Sequence, residues 1–281
     1  MLVPRRCEHW LEPELEVASP SRPVAEELKS WFVGQMDVFR PDLLVVDVFP
    51  RGVLGELPNA ISVPKVLLTR WVAPDFYALS GVSEALEGCQ AIFTSEPFTG
   101  SEAGAAAGRV VRTAPMLWTE AGVSREQARA RLGGGREPLV LVLGSGPVKG
   151  QRLLKERMRD LCAQRAWQLR YLSSALEDEI VGAGRFLRGA DLVVSAAGYQ
   201  SYHEIVQAGV PAVFLPQRRQ YDSQAQRALG RFGMEPRAPH GVARSPAELE
   251  LCLDRLMGSE PAPPEKFQGA EQVAEYLSKA W

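Results

Sequence analysis

The sequence predicts an α/β protein of two domains, each built round a parallel sheet. Three observations carry that prediction. Short runs of consecutive apolar, often β-branched residues recur along the chain, as in strands buried on both faces. Helical or loop segments long enough for a crossover connection separate them. At 281 residues the chain has room for two cores of ordinary size. Composition agrees with a globular protein, with 46% hydrophobic and 23% charged residues close to the usual proportions. The formal net charge of −2 gives no general attraction to nucleic acid or anionic lipid, and no nucleic-acid partner is expected.

In chain order, residues 1–21 are rich in proline and offer at most a short strand near Leu2. A helix is expected from Pro23 to Phe39, with Leu28, Trp31, Phe32 and Met36 along one side. Pro41-Asp42 opens the first strong strand, Leu43 to Val48. Asp47 falls near its carboxyl end, where open α/β sheets bind ligands, and Arg51 follows in the next loop. Both are candidate site residues, with a helix cap and a solvated loop charge as the plain alternatives. Pro64 to Thr69, Ala91 to Thr94 and Val110 to Arg112 read as the next strands. Trp71, Phe76, Tyr77, Phe98 and Trp118 either line an acceptor cleft or a peripheral membrane contact, or fill core and interface as apolar side chains ordinarily do.

Between Thr113 and Glu137 the composition shifts to Pro115, a short Glu/Arg/Ala helix from about Ser124, and Gly133-Gly134-Gly135. That reads as a flexible connection. It divides the chain into a first domain of residues 1–120, a linker of 121–137 and a second domain of 138–281. The second domain opens with the strand Leu139 to Leu143 and the turn Gly144-Ser145-Gly146. Small residues in such a turn let backbone N–H groups approach an anion closely. A helix from Gln151 to Gln164 and a strand from Gln168 to Leu172 come next, and helices over 246–257 and 270–281 close the chain.

The most informative stretch is ADLVVSAAGYQSYHEIVQAGVPAVFLPQRRQYDSQAQRA, residues 190–228. It reads as strand, glycine turn, helix, strand and a further helix start. Ala196-Ala197-Gly198 strips side-chain bulk from the end of the first strand, where the backbone must turn sharply. Ser201 and Glu204 fall in the first turns of the helix that follows. A helix start binds phosphate, and a nearby carboxylate can take up ribose hydroxyls. Gly209-Val210-Pro211 ends that helix.

Ser195, Gly198, Ser201, Glu204, Gly209, Pro211, Ala212, Pro216, Gln224 and Ala228 match, in order, the nucleotide-sugar half of the MurG-like glycosyltransferases, family 28 of the GT-B class. The chain resembles that family, with Ala196 where Arg is usual, Ser223 where His or Gln is usual, and Arg227 where Asn is usual. The resemblance implies a GT-B fold, two Rossmann-like domains whose parallel sheets face across a cleft. It implies transfer of a hexose or hexosamine from a UDP-sugar donor to an acceptor, with inversion. Glu204 would take the ribose, the turn Gly144, Ser145, Gly146 with Gly198 and Ser201 the diphosphate, and Gln224 the sugar, with Ser223 and Asp222 behind it. No metal or other cofactor is called for. Arg218, Arg219 and Arg227 either neutralise phosphate or form a solvated cluster.

The family's opening strand, Gly-rich turn and histidine have no counterpart near the start of this sequence. Either that unit has been lost or the protein begins further upstream. Asp47 is then the best replacement base, with His9 behind it. His203 is read as a partly buried or surface side chain, since it points about 100° away from Glu204 on the helix, and His240 carries only a weak signal. Two alternatives stand beside transfer: a UDP-sugar hydrolase of the same fold, and a non-catalytic nucleotide-sugar-binding partner subunit. Cys7, Cys89, Cys162 and Cys252 are widely spaced and read as free thiols of a cytoplasmic protein. No apolar run reaches membrane-spanning length.

Overall fold

A computed structural model describes residues 22–58, 61–100, 107–118, 123–176 and 180–280. The expectations for Leu2 and His9 lie outside the described residues. Helix α1 (Arg22–Phe39) leads into strands β1 (Leu44–Asp47) and β2 (Lys65–Thr69). Short helices α2 (Pro74–Tyr77) and α3 (Val82–Glu87) precede β3 (Cys89–Thr94) and β4 (Val110–Arg112). These strands form one parallel sheet in the order β1-β2-β3-β4. After α4 (Arg125–Arg131) come β5 (Leu139–Leu143), α5 (Val148–Gln164), β6 (Gln168–Leu172), β7 (Leu192–Ser195), α6 (Tyr199–Ala208), β8 (Ala212–Phe214), α7 (Gln224–Ala228) and β9 (His240–Val242). The second sheet is also parallel, in the order β6-β5-β7-β8-β9. Helices α8 (Pro246–Leu256) and α9 (Gly269–Ala280) follow.

The apolar runs of the second sheet are continuous because helices cover both faces. Leu139, Leu141 and Val193 face a core with Leu187, Tyr202, Ile205 and Val206. Their neighbours Val140, Val142, Leu192 and Val194 face Met158 and Leu161 of α5 and Leu249 and Leu253 of α8. The period-two geometry of a strand thus serves two cores at once. In the first sheet, Leu67 and Ile92 pack with Phe76, Val82 and Leu86. The other face, Val66, Ala91 and Phe93, is covered by Val273 of α9, and Tyr276 sets its ring edge-on to Phe93 at 5.1 Å. The last helix therefore returns from the second sheet to the first.

Four local features differ from the sequence expectations. The helix expected from about Ser124 is present as α4, whose N-cap Ser124 and Gln127 form a reciprocal capping box, but the segment is not the flexible connection expected. It is packed, since Arg125 and Arg129 both pair with Asp191 at 2.5 and 2.9 Å. Strand β9 is short and centred on Gly241, which weak local propensity concealed. Helix α7, which the sequence leads one to expect to continue to Arg231, ends at Ala228. Strand β1 forms the edge of its sheet, so Val45 is exposed rather than buried on both faces. Of the aromatics, Phe76, Tyr77 and Phe98 are core, while Trp118 is exposed.

Candidate functional site

Residues from the carboxyl ends of both sheets meet at one place. From the first sheet come Val48, Phe49, Arg70 and Val72; from the second come Gly198, Arg219, Gln220, Tyr221, Asp222 and Gln224. They line a cavity of ≈ 320 Å³. Two of the strand ends turn through left-handed backbone at non-glycine residues, Val48 (φ 60) and Ala197 (φ 60). Such conformations cost about 1–3 kcal/mol and persist where the surroundings enforce them.

Gly198 is the N-cap of α6, and Ser201 donates to its carbonyl oxygen at 3.3 Å. Ser195 donates to Ser201 Oγ at 3.1 Å. A side chain at position 198 would stand 3.6 Å from Ser201 Oγ and 3.9 Å from Gln224 Nε2, so these three residues form one cluster at the helix start. The turn Gly144-Ser145-Gly146 reaches it through Gln217, which sequence reasoning missed. Gln217 Nε2 donates to Ser145 O at 2.9 Å, and its backbone N–H donates to Gln224 Oε1 at 2.8 Å. Its only sequence signal is its place immediately after the Pro216 that closes β8. Glu204 lies further along α6, buried, and accepts from Gln200 Nε2 at 3.0 Å. Asp47 stands exposed at the end of β1. Surrounding protein nonetheless raises its carboxyl above the ordinary value, with Arg70 pulling the other way.

Beside the cavity is a charged network that neither half of the sequence announces alone. Glu96, in the loop after β3, is wholly buried. Its Oε1 accepts from Arg227 Nε at 2.6 Å, and its Oε2 accepts from Arg227 Nη2 and from the Trp71 backbone N–H, each at 2.9 Å. Arg227, also wholly buried, donates to Asp222 at 2.8 and 3.2 Å and to Ala197 O at 3.1 Å. Asp222 in turn accepts from Arg70 Nη1 at 3.0 Å. The chain Glu96–Arg227–Asp222–Arg70 thus crosses between the sheets twice. Aromatic faces sandwich it: the Arg227 guanidinium sits 5.8 Å from the Tyr199 ring and 5.5 Å from that of Phe232.

Arg227 therefore does not belong to a solvated arginine cluster. Burial alone would raise the Glu96 carboxyl, but Arg227 and His203 overcome it and bring it down to about 2. Burial likewise opposes the Arg227 charge, and its two carboxylates restore and strengthen it. His203 points into this network, away from Glu204, with Nε2 at 3.3 Å from Glu96 Oε1. A carboxylate only accepts, so Nε2 carries the proton. Burial keeps the ring neutral by lowering its pKa, Glu96 opposing, and Nδ1 is buried without a partner among the described residues. His240 instead lies at the far edge of the second sheet, on β9.

The described residues contain no group of three His, Cys, Asp or Glu placed to hold a metal ion, and no helix among them is long and apolar enough to cross a membrane. Cys89, Cys162 and Cys252 are buried free thiols.

Two Rossmann-like domains meeting at the carboxyl ends of their parallel sheets make this a GT-B fold. No protein-family model and no curated protein sequence matches the chain, but solved structures do. The kitacinnamycin glycotransferase matches with a TM-score of 0.52 at 20% identity, over 91% of this chain and 74% of that one. MurG from Acinetobacter baumannii matches with a TM-score of 0.51 at 15% identity, over 89% and 77%. UDP-GlcNAc 2-epimerase from Methanocaldococcus jannaschii matches with a TM-score of 0.57 at 9% identity, over 91% and 82%. At these identities the likeness establishes the fold.

Proposed function

We propose that the protein is a MurG-like glycosyltransferase that takes a hexose or hexosamine from a UDP-sugar and transfers it, with inversion, to an acceptor. In this reading residues 138–281 hold the donor and residues 1–120 face the acceptor. The observation that carries it is the gathering of Gly198, Ser201 and Gln224 at the start of α6, beside a cavity whose wall also holds Arg70 and Arg219. A helix start and two guanidinium groups suit a diphosphate. Glu204 takes the ribose hydroxyls. The Gly144-Ser145-Gly146 turn, tied to Gln224 through Gln217, steadies the phosphates, and Gln224 orients the sugar.

The acceptor hydroxyl oxygen attacks the anomeric carbon from the face opposite UDP. The C–O bond to the phosphate breaks, UDP leaves with the electron pair, and the acceptor proton passes to a base. Asp47 is that base, its raised carboxyl pKa making it a better proton acceptor than an ordinary aspartate. His9 is the second candidate. Fixed N–H groups and arginines meet the charge that develops on UDP, so the step calls for no metal. The enzyme works in the cytoplasm.

A second reading has the protein act on the nucleotide-sugar with no acceptor, as a hydrolase does, or hold it without turnover as a partner subunit. The fold shared with UDP-GlcNAc 2-epimerase at a TM-score of 0.57 favours keeping it. One experiment separates them. Nucleotide-sugars are first screened for thermal stabilisation, and the best stabiliser is then incubated alone and with acceptor candidates. Free sugar or an isomerised donor without acceptor favours the second reading. Stabilisation by no nucleotide or nucleotide-sugar removes both.

A further inference from the structure

We propose that Arg70, carried by the first domain, reaches across the cleft to clamp the diphosphate of a nucleotide held by the second. This deepens the donor-site reading above and rests on it. Arg70 follows β2 at its carboxyl end, lines the ≈ 320 Å³ cavity opposite Gly198 and Gln224, and keeps its side chain 26% exposed. Arg227, by contrast, is wholly enclosed, and its Nε, Nη1 and Nη2 are all engaged. It has no donor to offer a ligand. Arg70 gives only Nη1 to Asp222, and its Nε and Nη2 have no protein acceptor among the described residues. Arg219 lines the same wall, but it is exposed and its Nη2 is given to the neutral Gln217 Oε1.

The exchange is favourable because of how Asp222 is held. When Arg70 swings from Asp222 to a phosphate oxygen, Asp222 keeps both hydrogen bonds from Arg227, at 2.8 and 3.2 Å. No buried carboxylate is stranded, which is the usual penalty for breaking such a pair. The phosphate brings greater negative charge than the single carboxylate it replaces, and a guanidinium binds it through paired N–H groups.

The test is titration of the intact protein with UDP and, separately, uridine, comparing wild type with Arg70→Gln and Arg70→Lys. Arg70→Gln weakens UDP by about tenfold or more, leaves uridine within about twofold, and shows the wild-type melting temperature to within a few degrees. Arg70→Lys keeps a charge but not the fork, and falls between. Equal UDP affinity in wild type and Arg70→Gln overturns the clamp while leaving the donor site standing. A parallel loss of UDP and uridine affinity also overturns it, because a merely structural role would produce that. If Arg70→Gln does not fold, Arg70→Lys decides: a UDP-to-uridine affinity ratio unchanged from wild type counts against the clamp. Wild type that binds neither UDP nor uridine removes the donor reading and the clamp with it.

Discussion

Arg227 of α7 and Glu96 at the end of β3 meet as a doubly hydrogen-bonded pair, 2.6 and 2.9 Å, with both side chains fully buried between the two sheets. The pair lies 131 positions apart in sequence and ties the two lobes together beside the Arg70–Asp222 pair and the return of α9 to the first sheet. GT-B proteins are two-domain molecules, and domains packed through modest interfaces ordinarily move against one another. Here separation would leave a guanidinium and a carboxylate to be rehydrated, and would also break the stack of Trp71 on Phe232 at 5.2 Å.

Removing one partner is therefore costly. Arg227→Leu leaves Glu96 with His203 and the Trp71 amide alone, and is expected to lower stability by about 3–5 kcal/mol. The double variant Arg227→Leu with Glu96→Leu recovers part of that loss, because Glu96 is no longer left as a buried carboxylate without its guanidinium, while Asp222 keeps Arg70. Urea unfolding of wild type, both single variants and the double variant gives the coupling. A loss below about 1 kcal/mol for Arg227→Leu would contradict the burial of the pair.

Acid acts on the same contact. Glu96 titrates near 2 in the folded protein against 4.5 ordinarily, so the unfolded chain binds the extra proton between those values. Stability from this group is complete above about pH 4.5 and is lost as pH falls toward 2. The His203 pKa is lowered from 6.5, which also favours the unfolded chain as pH falls below that value. Both contributions have the same sign. Melting temperature should fall from about pH 6.5 downward, and Glu96→Gln should flatten the segment below pH 4.5. An unchanged acid limb in Glu96→Gln argues against the assignment.

Glu204 is tested through the ribose. Wild type is expected to bind UDP more tightly than 2′-deoxy-UDP, and Glu204→Gln to lose most of that preference. A hydrogen bond to a charged group carries about 1.5–3 kcal/mol, or roughly tenfold or more in affinity. Calorimetric titration of both nucleotides against both proteins measures the preference directly. A preference intact in Glu204→Gln moves the ribose elsewhere.

The docking of α4 on the second domain is set by a close backbone approach. A Cβ at Gly189 would stand 2.4 Å from Arg129 N and 2.5 Å from the Ala128 carbonyl carbon. Backbone cannot yield as a side-chain tip can, so Gly189→Ala should cost about 1–3 kcal/mol, as overpacked cores do. Thermal unfolding of this variant, beside the surface control Gly150→Ala where nothing lies within 4 Å, isolates the steric contribution.

Much of the fold was legible along the chain. Consecutive apolar residues such as Leu139-Val140-Leu141-Val142 announced a strand covered on both faces, and glycine with proline at 209–211 marked where α6 had to stop. The turn at Gly198 and the ordered matches around it could be read because a helix start demands particular residue types at fixed local offsets. What escaped were elements with little local signal, such as β9 and the four-residue α2, and the packing of α4, which depends on Asp191 more than sixty residues away.

The sequence by itself determined two parallel-sheet domains, the order of their strands along the chain, and the glycine turn at which α6 starts. Tertiary structure alone decided which charges face one another. His203 looked like an incidental histidine, and Arg227 like either a phosphate ligand or a solvated cation, until Glu96 was brought against both from the other sheet. The reason is physical. Periodicity and turn chemistry act over a few residues and leave their mark in local order, whereas the pairing of buried charges depends on how two folded lobes dock.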